Sequence, residues 1–138
     1  MATITEYIPV STQGQGDIID ITSQALEIIH NHNIQSGILC LFVPGSTAAI
    51  TTIEYEQGLQ KDINIFLEKI IPRNAHYYHH DTWHDDNGSS HLRAAMIGPS
   101  ITVPIVDGAL TLGTWQQIVV IECDTRKRNR NIVVQIVY

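Results

Sequence analysis

Cysteine is nearly absent: Cys40 and Cys123 are the only two in 138 residues. Each lies in a strand-like apolar run and no CxxC spacing occurs. Neither a thiolate metal centre nor a disulfide framework is encoded, and two reduced core thiols are expected. Positive charge is also scarce. Eight Lys and Arg stand against fourteen Asp and Glu, for a net charge of −6. This excludes a general electrostatic drive toward nucleic acid or an anionic membrane. No apolar run approaches the roughly 20 residues that cross a bilayer. The N-terminal MATITEYIPV lacks a basic segment followed by a long apolar stretch, so no signal peptide is visible and a cytoplasmic location is expected. Repeats, linkers and low-complexity segments are missing too. The length and a hydrophobic content of 43% indicate one domain, residues 1–138, with a core that needs no staples.

What is present is a periodic pattern of strands and helices. Thr3 to Val10 alternates like a strand. Ile18 to about His32 carries apolar residues at helical spacing, with Asp17 as the predicted N-cap. The run ILCLFV, Ile38 to Val43, predicts a strand buried on both faces. After Pro44-Gly45-Ser46, Ala48 to Ile53 predicts the second strand of a pair. A second helix fits Glu56 to Ile71, with Leu59, Ile63, Phe66, Leu67 and Ile70 as its stripe. A polar loop follows, then a short helix over His91 to Met96. Ser100 to Val106, Trp115 to Cys123 and Ile132 to Tyr138 predict three final strands, the last two joined by a hairpin loop over Asp124 to Asn131. The class is α+β, a mainly antiparallel, sandwich-like sheet packed with two principal helices.

Chemistry-bearing residues concentrate in HYYHHDTWHDDNGSSH, His76 to His91. Five of the chain's seven histidines occur here. Imidazoles and carboxylates gathered in a loop suit a divalent metal or acid–base work. The bland alternative is a solvated loop with a few structural hydrogen bonds. His76 and His79 read as surface residues beside Tyr77 and Tyr78. Glu54-Tyr55-Glu56 could supply a carboxylate to a site, although Glu56 alone suits a helix start. Arg126 to Arg130 holds half of the basic residues, and its guanidinium groups suit phosphate or a charged loop tip. Gly113-Thr114-Trp115-Gln116 could bring a ring close to a ligand, or Trp115 could fill the core. Pro44-Gly45-Ser46-Thr47 is a weak candidate for an anion-binding turn, without Walker spacing.

Together these pieces resemble the YjbQ-like family. Ser100-Ile101-Thr102-Val103-Pro104-Ile105, Gly108 and Gly113-Thr114-Trp115-Gln116 are similar to its signature. Tyr78 with His80, then Asp86, Asn87 and His91-Leu92, fit its upstream pattern. Thr52-Ile53-Glu54 with Asp62, and Glu122-Asp124 with Arg128 and Arg130, fit as well. The resemblance spans roughly residues 5 to 138. It implies a homotrimer of α+β sandwich-like domains. Some relatives are labelled secondary thiamine-phosphate synthases, which join a pyrimidine methyl diphosphate to a thiazole phosphate and release diphosphate. Many relatives carry a His-Thr-Ser-Ala-like segment where this chain has Ser46-Thr47-Ala48-Ala49, so one imidazole is missing here.

Two functions follow. The first is a metal-assisted enzyme, a thiamine-phosphate-synthase-like transferase acting on a phosphorylated small molecule. A divalent zinc or magnesium ion would take His80, His84, Asp86 and His91. Glu54, Asn87, Trp115 and Gln116 would serve catalysis, and Arg128 and Arg130 would hold phosphate. The second is a non-catalytic trimeric module that binds an anionic metabolite or a protein.

Overall fold

The computed structural model describes Met1 to Tyr138. In chain order it comprises β1 (Thr3–Ser11), β2 (Ile18–Asp20), α1 (Thr22–Asn31), β3 (Ser36–Phe42), β4 (Ala48–Ile53), α2 (Gln57–Ile70), α3 (Tyr78–Trp83), α4 (Gly88–Ile97), β5 (Ser100–Val106), β6 (Ala109–Leu110), β7 (Gln117–Glu122) and β8 (Asn129–Val137). A five-stranded sheet runs in the order β1-β8-β3-β5-β6, and a three-stranded sheet runs β2-β7-β4. Every pairing is antiparallel. No helix is long and apolar enough to cross a membrane.

The core lies between the two sheets. Leu39, Val134 and Ile136 of the larger sheet meet Ile50, Ile118 and Val120 of the smaller one, and Ala25 and Ile29 of α1 join them. Each such Val, Leu or Ile side chain contributes about 1.5–3 kcal/mol when fully buried. The other face of the smaller sheet, through Val119, Ile121 and Cys123, packs on Ala94 and Ile97 of α4 and Ile63 of α2. The smaller sheet is therefore covered on both faces. This is the α+β sandwich expected from the sequence, with the short helix expected over His91–Met96 present as α4 and α3 added.

Several local expectations are corrected. Ile18–Asp20 forms a strand rather than the first turn of a helix. Ile18 pairs opposite Ile121 on an edge that β7 would otherwise expose, and both isoleucines are β-branched. The N-cap of α1 is Ile21 and not Asp17, and Asp20 just before it accepts from Thr22 N at 2.9 Å and Thr22 Oγ1 at 2.6 Å. β4 does not pair with β3. Both edges of β3 are taken, by β5 and β8, so the chain crosses to the smaller sheet and β4 pairs with β7. The connection from β7 to β8 is likewise a crossing between sheets and not a hairpin. β3 is buried on one face only: Ile38 and Phe42 are exposed. The polar loop contains α3, and α4 begins three residues before His91.

Alternation decides what reaches the space between the sheets. On β7, Ile118 and Val120 point inward, and the next residue of that phase is Glu122. On β8, Ile132, Val134 and Ile136 point inward, and the preceding residue of that phase is Arg130. On β1 the series Ile8, Val10 runs on to Thr12. One end of the apolar core is thus finished by a carboxylate, a guanidinium and a hydroxyl.

Cys123 is fully buried, and its thiol is pushed up to about 12, first by burial and then by the Glu122 charge. Since the thiolate is the reactive form, iodoacetamide at mildly alkaline pH should leave Cys123 unmodified in native protein and alkylate it in urea. Mass spectrometry of the peptides checks this. Native-state alkylation would contradict a closed smaller sheet.

Candidate functional site

The buried charges form one connected network. Glu122 is 0% exposed and the Arg130 side chain 9%. Arg130 Nε donates to Glu122 Oε2 at 3.0 Å, and Nη2 donates to Oε1 at 2.5 Å. Thr12 Oγ1 and the N–H of Asp124 donate to the same carboxylate. Arg130 Nη2 also donates to the carbonyl and hydroxyl of Thr47. Next along, Arg128 Nε donates to Asp124 Oδ2 at 2.6 Å. Burial alone would raise the Asp124 pKa. The Arg128 hydrogen bond, the Thr125 N–H and the charges of Arg128 and Arg126 outweigh it and hold the carboxyl below the usual range. Removing one partner of a pair as buried as Glu122–Arg130 typically costs about 3–5 kcal/mol, while the partly exposed Arg128 side chain makes its pair with Asp124 cheaper to break. The paired faces of Arg128 and Arg130 are therefore committed to the fold. Arg130 Nη1 has no partner within the chain, and it lies 3.1 Å from where a Cβ on Gly45 would sit.

Arg93 docks the histidine-bearing helices. It is 3% exposed and reaches from α4 to the C-terminal end of α2. There it donates to the Ile71 carbonyl at 2.7 and 3.1 Å and pairs with Glu68 at 2.7 Å. The Tyr77 hydroxyl donates to the Pro72 carbonyl. Its pKa is raised, mainly by burial, with Arg93 opposing. Gly88 is required beside it, because a Cβ there would fall 2.6 Å from Tyr77 Cβ and 3.0 Å from His80 Nε2.

This frame gives the histidines different tasks. His80 Nε2 accepts the Gly88 N–H at 3.0 Å and so caps the start of α4. His84 ends α3 in the left-handed conformation, φ 55°, and is exposed. His79 is half-buried. Its Nε2 lies 3.1 Å from the Asn87 amide, and with the amide nitrogen facing it, Asn87 donates to His79 and to Asp85 together. That orientation follows from the hydrogen-bond network. The His91 ring packs against His79 with 4.5 Å between centroids and the planes tilted by 55°. His91 lines two clefts, one of about 330 Å³ with Gly45, Ser46, Ala94 and Pro99, the other of about 430 Å³ with Tyr77, Tyr78 and Leu92. Its ring takes no hydrogen bond from the chain.

The residues singled out from the sequence are thus divided. Asp86 and Asn87 line a third cleft of about 240 Å³ with Asp124 and Arg126. Glu54, Trp115 and Gln116 lie at the other end of the β4–β7 ladder. Its register runs from Ala48 opposite Glu122 to Ile53 opposite Gln117, roughly 17 Å at the usual strand rise. Gln116 there accepts from Gly113 N and donates to Thr52, both at 3.0 Å. Glu54 is exposed and Trp115 is 72% exposed, while Glu56 caps α2 by accepting from Gly58 and Leu59. His80, His84, Asp86 and His91 do not converge on one metal shell, and no three His, Cys, Asp or Glu side chains do so. A divalent ion does not fit this donor set as arranged, the more so because the His80 lone pair is already taken. His79 was passed over from sequence as a surface residue. The signal that could have found it is the i,i+8 spacing to Asn87, across the turn between two short helices.

The depressed Asp124 pKa sets a pH dependence. Its contribution to stability is complete above the unfolded value of about 4 and is lost as pH falls through the lower folded value. Asp124→Asn should be less stable than wild type at neutral pH, and its urea midpoint should fall less steeply below about pH 4. Identical acid limbs for the two proteins would contradict the pairing with Arg128.

Comparison with known proteins agrees with this architecture. Residues 6–138 match the family model described as UPF0047 protein YjbQ-like. A UPF0047 protein of Methanothermobacter thermautotrophicus is 40% identical over 136 residues, covering 99% of this chain and 93% of its own length. One from Mycobacterium tuberculosis is 32% identical, covering 93% of each. Among solved structures, a YbjQ-like protein of unknown function from Sulfolobus solfataricus superimposes with a TM-score of 0.86 at 31% identity, covering 98% of both chains. A hypothetical protein from Aeropyrum pernix gives 0.85 at 29% identity, covering 99% of this chain and 98% of its own. With its fold matched from end to end and its sequence from Glu6 to Tyr138, the chain belongs to the YjbQ-like UPF0047 family.

Proposed function

We propose that this protein is a cytoplasmic enzyme acting on a phosphorylated small molecule, with His91 as its acid–base group. One observation carries this reading: the His91 ring forms a wall of two adjacent clefts and is braced by His79 rather than tied by a hydrogen bond. An imidazole held in position with both nitrogens free of hydrogen bonds is placed to give and take a proton. The His79–Asn87–Asp85 chain fixes the bracing ring from behind. The smaller cleft, with alanines and Pro99 on its walls, suits a compact heterocycle. A thiamine-phosphate-synthase-like transfer is one reaction of this class.

A cyclic homotrimer is part of the same reading. The outer face of the five-stranded sheet carries Tyr7, Ile38, Phe42, Val106 and Val133, and its strand positions include no Lys, Arg, Asp or Glu. A charge-free exposed sheet face is suited to cover by another copy. A ring of three joins unlike surfaces, so it could bring the Trp115 end of one copy toward the His91 end of the next. The separation of those two ends within one chain favours the alternative, a binding module without turnover, for an isolated protomer.

Diphosphate release from a pyrimidine methyl diphosphate with a thiazole phosphate, and phosphate release from a panel of phosphomonoesters, test the enzyme reading. His91→Ala should lower kcat/KM by about 10²–10⁴-fold for whichever is turned over. Thermal stabilisation by these compounds without turnover by the wild type would replace the enzyme with the binding module. Light scattering should give three times the chain mass, and a monomer would remove the ring.

A further inference from the structure

We infer that the crossing turn Gly45-Ser46-Thr47 is the phosphoryl-binding subsite, taking the terminal phosphate of a small phosphomonoester. The turn joins β3 in one sheet to β4 in the other. None of the backbone N–H groups of Gly45, Ser46 and Thr47 donates a hydrogen bond within the chain. Gly45 and Ser46 are exposed and both line the 330 Å³ cleft. Successive free N–H groups in a turn present a concave positive surface to an anion.

Beneath the turn lies a guanidinium with one open side. Glu122 and Thr47 occupy Arg130 Nε and Nη2, which leaves Nη1 facing Gly45. Gly45 has φ +107°, and a Cβ there would press on Nη1 at 3.1 Å. Glycine is needed for the turn and for the approach of the guanidinium. The Glu122 pair holds Arg130 in place, so little side-chain freedom is left to lose when an anion arrives. His91 stands across the same cleft, and Ala48, Ala94 and Pro99 offer an apolar wall to the organic part of the ester.

The subsite deepens the enzyme reading by naming where its phosphate sits, yet it is tested by binding alone. Absence of turnover leaves it standing, and its failure leaves the role of His91 open. The experiment titrates assigned, isotope-labelled protein with inorganic phosphate and with phenyl phosphate. The amide signals of Gly45, Ser46 and Thr47 should shift saturably with both. Ser46→Ala keeps all three donors and should bind within about twofold of wild type, whereas Ser46→Asp adds a like charge and should bind about tenfold more weakly. Ser46 is exposed, so both variants should retain the wild-type circular dichroism. Amides unmoved at 45–47, or shifts confined to Arg126 and Lys127, would overturn the subsite. Equal affinity for the two probes would overturn its assignment to an ester in favour of free phosphate.

Discussion

The ion pair between Glu122 and Arg130 is the constraint around which this molecule is arranged. It closes one end of the space between two sheets, at positions where strand alternation would otherwise place apolar side chains. Desolvating both charges is expensive, and their attraction offsets that only when every remaining donor and acceptor is used. Here all are except the two N–H groups of Arg130 Nη1. Thr12, the Asp124 N–H and Thr47 complete the shell. Four separate chain segments, around residues 12, 47, 122–124 and 130, are thereby fixed to one another. Each joins or borders a connection between the sheets, so the pair sets how the sheets meet at this end.

That constraint also orders the neighbouring site. Because Thr47 is held by Arg130, the turn before β4 cannot drift, and the cleft between that turn and His91 keeps its shape. On the far side, Arg93 ties α4 to the Ile71 carbonyl at the C-cap of α2 through two donors. The site therefore lies between two buried arginines, each spending most of its hydrogen-bonding capacity on the fold. An arginine cluster near the chain terminus suggested phosphate binding by charge alone. The structure limits that reading. Arg130 cannot release Glu122 to a ligand, since stripping a pair this buried typically costs about 3–5 kcal/mol, comparable with the binding energy of a millimolar ligand, about 4 kcal/mol. What a ligand can use is the unpaired edge.

Much of the fold was legible because periodicity and punctuation agreed. Glu56 followed by the stripe from Leu59 and ended by Pro72 gave α2 to within a residue, and β4 and β5 were bounded as observed. Pairing was another matter. The connections at Pro44–Thr47 and Asp124–Asn131 looked like turns within a sheet, but a turn's sequence does not record whether the edge beside it is already taken. β3 and β8 both have two partners, and only the assembled sheet shows it. Ile18–Asp20 fitted a helix because the isoleucines at 18 and 21 are three apart, the helical spacing, whereas in the structure they join two different clusters. Of the site, the His76–His91 region and Ser46 were legible as places. The division of labour was not: His80 as a cap and His79 as the brace of His91 depend on where two short helices sit, and neither helix has a marked apolar stripe.

Gly45 shows why stability and ligand binding are difficult to separate here. Its positive φ lets the chain leave β3 and enter the other sheet within a few residues, a requirement of folding. Its missing side chain lets Arg130 approach the turn from below, which completes the Glu122 shell through Thr47. The same missing side chain lets Nη1 lie close beneath a turn whose N–H groups have no partner within the chain. A larger residue would strain the turn, displace the guanidinium and fill the approach at once. A change that only removed binding would have to act from the solvent side, at Ser46, where the side chain takes no part in the network and the backbone donors remain. Glycine at 45 and serine at 46 thus divide the turn between what the fold requires and what a ligand meets.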